Sequence, residues 1–515
     1  MTINTGTGEA GATDTDEANS SASESEARSR SYATILKSTA LMGGSSVINT
    51  LLSAVRAKAS ALILGAEGVG LMGLFLAVLD LAQALAGLGL QSAAVRQIAS
   101  ETDADGQHRR ATVIWILRTA SIVLGFLGAA LLAIFATPIA RLSFGSESFA
   151  PAVALVGLAL IFRIVGAGQL ALLQGVRQIG NLARVSVYSA LLGTIVSIPI
   201  LYLLGHDGIV PAIIAISAVS ILPSWYYARR TVVRRQDINL NLAGRDAVAL
   251  LRLGLVFLAS GLLTFGAAYL VRTIVLHAEG PRGVGFYQAA WTIGGLYAGF
   301  ILQAMGTDFY PRLTAVASNK VECNRLVNEQ AQIGILLAGP GLLATLTLAP
   351  LAIHILYSAE FVAGADLLRW ICLGMMLRIV SWPMGYIIIA RNAQFFFFWT
   401  EAAAAVVQVG LAWLLVDNIG LAGAGIAFFG LYVWHSLLVY VIVRRMTGFA
   451  WSRENLKLMS IVLGMTAITF AACLVLPTWQ ATVIGGLATT AVSYLSLRSL
   501  KQFAPIRRLL PARWR

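Results

Sequence analysis

Charge is scarce in this chain. Asp, Glu, Lys and Arg make up 12% of its 515 residues, against roughly a quarter in a soluble protein. With 58% hydrophobic residues and a mean hydropathy of +0.78, most of it belongs in lipid. Cysteine is rarer still. Cys323, in a polar stretch read as a loop, and Cys372 and Cys473, in apolar stretches, show no pairing or ligand spacing. They read as small buried hydrophobes. The five histidines (His108, His206, His277, His354 and His435) form no H-x-x-x-H pair, and no G-x-x-x-x-G-K-[ST] loop exists. These absences exclude a familiar zinc site and a P-loop, so no metal, cofactor or ATP hydrolysis is expected. No segment between apolar runs is long enough for a catalytic domain, so an enzyme is not expected either.

Residues 1–31 lack any apolar run and carry six acidic residues between Glu9 and Glu26. Without an apolar signal core they are not an export signal. Their composition predicts a disordered acidic cytoplasmic tail.

What remains is apolar and basic. The net charge is +13, but Lys and Arg sit in short loops and not on one solvated face, which argues against nucleic acid. A membrane span needs roughly 20 apolar residues. Such windows fall near 37–64, 69–95, 111–135, 150–174, 179–204, 208–228, 249–277, 283–309, 329–353, 364–390, 394–416, 419–443, 457–477 and 480–499. The fold class is therefore an all-α polytopic membrane protein of about fourteen helices. Alternate loops hold almost all the basic residues, for example Arg96, Arg177, Arg229, Arg230, Arg312, Arg391, Arg444 and Arg445; the others hold only Arg141 and Arg282. By the positive-inside rule both termini are cytoplasmic, and the chain is placed in the inner membrane.

The chain also repeats itself. Arg163-Ile164-Val165 in the first half recurs as Arg378-Ile379-Val380 in the second. Nearly the same displacement links Val55-Arg56 to Val271-Arg272, Gly68-Val69-Gly70 to Gly283-Val284-Gly285, and Arg229-Arg230 to Arg444-Arg445. A duplicated six-helix unit follows. It predicts an N-lobe over 32–228, a basic linker over 229–248 and a C-lobe over 249–445. A terminal helical hairpin over 457–499 and a basic cytoplasmic tail over 500–515 complete the division. Since each unit has an even number of spans, a pseudo-two-fold along the membrane normal relates the lobes across a cavity.

Charges inside hydrocarbon are costly and mark function. Arg163 and Arg378 lie near the centres of their windows, and Arg56 and Arg272 at matching depths. These four are the candidate cationic cavity, Arg56 facing Arg272 and Arg163 facing Arg378. Lys58, Arg118 and Arg369 are further candidates, though Arg118 and Arg369 lie where they either line the cavity or snorkel to the surface. Trp382 and Tyr386 continue the helix face of Arg378. Asp80 and Glu401 either neutralise an arginine or bind a coupling proton or cation; neither has a duplicate in the other half.

Two six-span lobes, arginines in the first and seventh spans, Leu36–Leu41 with Gly43–Ser46, and Gly65–Leu71 together resemble the polysaccharide transporter branch of the MATE-like flippase superfamily. The opening residues are similar to those of O-antigen translocases (Wzx type). The resemblance covers roughly 32–450. It implies an undecaprenyl-diphosphate-linked oligosaccharide moved from the cytoplasmic to the periplasmic leaflet, with a cationic cavity carried over onto Arg56, Arg163, Arg272 and Arg378. Polymerase and glycosyltransferases of the same pathway are the implied partners. The terminal hairpin is similar to the two extra spans of lipid II flippases. The alternatives are an ion-coupled multidrug exporter of the same fold, which calls for an acidic cavity, or a membrane-embedded polymerase or glycosyltransferase.

Overall fold

The computed structural model describes residues 12–100, 104–230, 240–304 and 309–503, and every regular element among them is helical. The first half comprises α1 (Ala12–Gly87), α2 (Leu90–Ser100), α3 (Ala104–Ile134), α4 (Ala136–Phe144), α5 (Ala150–Gly175), α6 (Ile179–Leu204) and α7 (Ile209–Arg229). The second comprises α8 (Leu240–Ala304), α9 (Tyr310–Ala315), α10 (Lys320–Thr347), α11 (Ala349–Leu356), α12 (Ala365–Ala390), α13 (Gln394–Ile419) and α14 (Ala422–Thr447). The hairpin α15 (Arg453–Val475) and α16 (Thr478–Phe503) follows and packs on α10, where Gly485 meets Thr347 and Gly339 meets Val462.

Among the described residues, ten segments are long and apolar enough to cross a membrane, and three of these run 44 to 51 residues. At about 1.5 Å rise per residue, each of the three is roughly twice the ~30 Å of a hydrocarbon core and has length for two crossings. The protein is a multi-pass membrane protein.

The backbone repeats at the displacement seen in the letters. The step from Arg163 to Arg378 carries both ends of α5 onto those of α12, and both ends of α6 onto those of α13. Unusual torsions recur too. α1 breaks at Gly65 (φ 64°, ψ −171°) and α8 at Gly280 (φ 70°, ψ −177°), again one such step apart. Arg177 and Asn392 share φ of 57° and 58°. Positive φ costs an ordinary residue roughly 1–2 kcal/mol and glycine almost nothing, which is why the long helices fold back at those two glycines.

The two halves come into close contact just beyond these breaks. Gly70 lies against the Pro281 carbonyl and Gly285 against the Ala66 carbonyl, with no room for a Cβ at either. Glu360 bridges the same region: one oxygen accepts from the Ala66 N–H at 3.1 Å and the other pairs with Arg282 at 3.1 Å. Ser143 and Tyr269 add a 2.6 Å hydrogen bond between the halves. A continuous buried core runs through both, including Leu74, Leu160, Val275, Ile379 and Phe428.

Three sequence expectations need correction. Residues 12–31, expected to be disordered, form the beginning of α1; they are rich in Ala, Glu and Ser, and Ala and Glu are strong helix formers. The helix expected from the ninth apolar window, α10, starts at Lys320, not near 329, because the Asn319 side chain caps it, accepting from Val321 and Glu322 N–H at 3.1 and 3.2 Å. Cys323 is therefore a buried helical residue and not a loop residue. That helix ends at Thr347, and Pro350 opens the separate α11. Part of the basic linker and most of the basic tail fall outside the described residues.

Candidate functional site

In the second half, α12 brings Arg378, Trp382 and Tyr386 into one cavity of about 490 Å³. Their spacing of four residues keeps them on one face, as expected from sequence. Glu401 of α13, Tyr432 and His435 of α14, and Tyr287 and Trp291 of α8 complete the wall. The aromatic groups brace one another: Trp291 stacks with Tyr287 at 6.0 Å and meets Phe428 edge-on at 5.1 Å. Phe428 in turn meets Tyr432 at 5.0 Å.

The Arg378 guanidinium sits 4.6 Å from the centre of the Trp382 ring and 5.7 Å from that of Tyr432. Rings offer a cation only a weak attraction, roughly 0.5–2 kcal/mol. Arg378 makes no ion pair among the described residues, and its Nε is buried without a hydrogen-bond partner. Glu401 lies beside His435 instead, 4.0 Å from Nε2. The His435 Nδ1 is also buried and without a partner. The cavity thus presents a guanidinium without a direct ion pair among the described residues, set between aromatic walls, with the Glu401 carboxylate within reach of its charge and an imidazole nearby.

The copy in the first half is different. Arg163 Nη2 pairs with Asp80 Oδ1 at 2.7 Å, the two side chains being 30% and 38% exposed. In this structure Asp80 therefore stands beside an arginine. The corresponding position in the second half is Gly295, so α8 brings no carboxylate to Arg378. Trp382 and Tyr386 correspond to Ala167 and Ala171, so the aromatic wall has no counterpart on α5.

The remaining candidates separate. Arg56 lies against Gly193 of α6, inside the first half. Arg272 donates to Gln288 Oε1 from Nε and Nη2, at 3.3 and 3.2 Å, and to the Ala268 carbonyl at 2.9 Å. Its guanidinium is 5.7 Å from the Tyr287 ring centre, next to the second-half cavity. Lys58 donates to the His354 carbonyl at 2.8 Å and so spans the two halves.

Two candidates are corrected. Arg369 is buried and pairs with Asp366 at 2.6 Å. Nine residues are two and a half turns, so it lies on the face of α12 opposite Arg378 and outside the cavity. Arg118 donates to the Ala228 carbonyl at 3.4 Å and lines a separate recess in the first half.

Sequence reasoning missed His435, Tyr432, Trp291 and Gln288. Glu401 and His435 meet because α13 and α14 pack as a hairpin, and the register of that packing has no local sequence signal. Among the described residues no His, Cys, Asp and Glu group could hold a metal.

Residues 61–365 match the family described as polysaccharide biosynthesis protein. The chain is 24% identical over 419 residues to the lipid III flippase of Escherichia coli (strain K12), covering 80% of this chain and 99% of that protein. Its fold is similar to the lipid II flippase MurJ in an inward closed conformation, with a TM-score of 0.66, 13% identity and coverage of 90% and 99%. It is similar as well to an inward-facing multidrug resistance MATE family transporter of the MOP superfamily, with a TM-score of 0.62, 21% identity and coverage of 78% and 94%.

Proposed function

The chain belongs to the polysaccharide biosynthesis protein family, and from that premise we propose that it is a flippase for a lipid-linked oligosaccharide. The substrate is an undecaprenyl-diphosphate-linked glycan, carried from the cytoplasmic to the periplasmic leaflet of the inner membrane. The likeness to a lipid III flippase, over 99% of that protein and 80% of this chain, supports this reading.

The observation that carries it is Arg378, a guanidinium without an ion pair on the wall of an aromatic-lined cavity. Such a group attracts an anion, and its planar fork suits a diphosphate better than an ammonium does. Arg272 stands next to that cavity, and Arg56 supplies further positive charge from the first half, where Arg163 is already paired with Asp80. The lipid tail stays in the bilayer, so only the head group needs an enclosed path. The halves form two lobes related by an axis along the membrane normal, fourteen spans in all, with both termini cytoplasmic. On that topology Gly65, Gly280 and Glu360 lie at the periplasmic end, and the lobes are closed there. Rocking must break the Glu360 and Lys58 contacts between halves, and the substrate drives it only by binding the two states unequally. Glu401 is the coupling candidate, because it is the carboxylate on the cavity wall and makes no direct ion pair with an arginine among the described residues.

The test is transport of lipid-linked sugar into reconstituted vesicles by wild type, Arg378→Ala and Arg378→Lys, beside melting curves for each. Lost transport in well-folded Arg378→Ala, with partial return in Arg378→Lys, is expected. Undiminished transport by folded Arg378→Ala would reject the site.

A further inference from the structure

A second recess, of about 240 Å³, lies in the first half between α3, α5 and α7. Arg118, Ser121, Gly168, Gln169, Trp225 and Arg229 line it, and no carboxylate does. Its α5 wall faces away from Arg163: at about 100° per residue, Gly168 and Gln169 point within roughly 60° of the opposite direction. It is therefore separate from the Arg163–Asp80 pair.

The surroundings are those of a membrane rim. Trp115, Ile122 and Trp225 are all exposed on this side, and exposed indoles mark the headgroup level. Arg229 ends α7 and stacks 4.3 Å from the Trp225 ring centre. Arg118 reaches the same helix end, spending one N–H on the Ala228 carbonyl. Ser121 is the second, independent observation. Its hydroxyl is buried, lines the recess and has no hydrogen-bond partner among the described residues. It faces Gly168, where a Cβ would run into the Ser121 Oγ, so the glycine keeps the space around that hydroxyl open. A buried hydroxyl is costly unless something completes its bonding.

We propose that this recess binds the phosphate of an anionic bilayer phospholipid. Arg118 and Arg229 hold the phosphodiester, the Ser121 hydroxyl donates to one of its oxygens, and Trp225 lies at the glycerol level. The ligand is a lipid because the recess opens beside exposed Ile122 and Trp225, where acyl chains continue from the headgroup. A basic recess at the end of the bundle carrying the positive loops suits an anionic headgroup over a zwitterionic one.

The experiment titrates phosphatidylglycerol or phosphatidylcholine onto the purified full-length chain and counts retained lipids by native mass spectrometry. Wild type should hold one phosphatidylglycerol roughly ten-fold more tightly than Arg229→Gln does, the step expected on losing one charge-assisted contact. The Arg118→Gln/Arg229→Gln variant should fall to the level of phosphatidylcholine. Arg229→Gln lies at a helix end and spares the Arg118 bond to Ala228, so it separates lost binding from lost folding, which a melting curve without added lipid checks. Equal retention by wild type and Arg229→Gln overturns the proposal, as does equal affinity of wild type for the two lipids. Displacement of the bound lipid by inorganic phosphate would assign the recess to a free anion and overturn the lipid. Since the readout is binding, none of these outcomes depends on whether the chain flips a glycan.

Discussion

Arg163 and Arg378 occupy the same turn of duplicated helices with matching ends, yet their surroundings differ. Arg163 is held by Asp80 at 2.7 Å, whereas Arg378 has rings on its flanks and no ion pair among the described residues. One residue on a neighbouring helix makes much of that difference, because Asp80 has Gly295 as its counterpart. Duplication therefore preserves a scaffold and an expensive charge, while the partner of that charge decides whether it is available to a ligand. A guanidinium inside the bundle with a carboxylate at its side is a structural pair; without a direct partner it attracts an anion.

The largest effect is expected from Arg378→Ala. Losing charge-assisted bonds of about 1.5–3 kcal/mol lowers affinity for the lipid-linked substrate by roughly ten- to a hundred-fold. Binding to purified protein measures it, with the melting temperature held as a control.

Gly295→Asp sharpens the comparison by giving Arg378 the carboxylate that Arg163 already has. A Cβ at Gly295 meets nothing within 4 Å, so the side chain has room. Substrate affinity should drop toward that of Arg378→Ala while the fold persists. Unchanged affinity in the folded variant would mean that the free charge of Arg378 is not what the substrate uses.

A smaller and different effect belongs to the first half. Arg163→Ala leaves Asp80 unpaired in a partly covered site, and stability should fall by about 1–3 kcal/mol, between exposed and buried pairs. Asp80→Ala does the same from the other side, and Arg163→Ala/Asp80→Ala should recover part of the loss. Additive losses in that thermodynamic cycle would show that the pair is not coupled.

Glu401→Gln should change least at the level of folding, because its imidazole neighbour is 4.0 Å away. Its effect is expected in how strongly transport depends on an imposed proton gradient. A variant that responds to the gradient like wild type would remove Glu401 from coupling.

Much of the fold was legible because lipid enforces a simple grammar. Each crossing needs about 20 apolar residues with its backbone bonds satisfied internally, so the window read at 394–416 became α13 (Gln394–Ile419). Boundaries governed by a single cap were not legible: Asn319 started α10 inside a polar stretch that hydropathy treats as loop. Within the site, the face shared by Arg378, Trp382 and Tyr386 followed from helical period alone. The recruitment of His435 did not, since it depends on how two helices slide against each other. Arg369 shows the converse. It shares an apolar window with Arg378, but half a turn's difference in phase sends it to Asp366 and away from the cavity.

The amino-acid sequence by itself determined the class of molecule and the internal repeat, because hydropathy and spacing are properties of the chain read along its length. Only the tertiary structure decided which arginine is neutralised. Asp80 and Arg163 are far apart in sequence, and their charges meet only because α1 and α5 pack side by side in the folded protein. Coulomb attraction falls with distance in space and takes no account of separation along the chain.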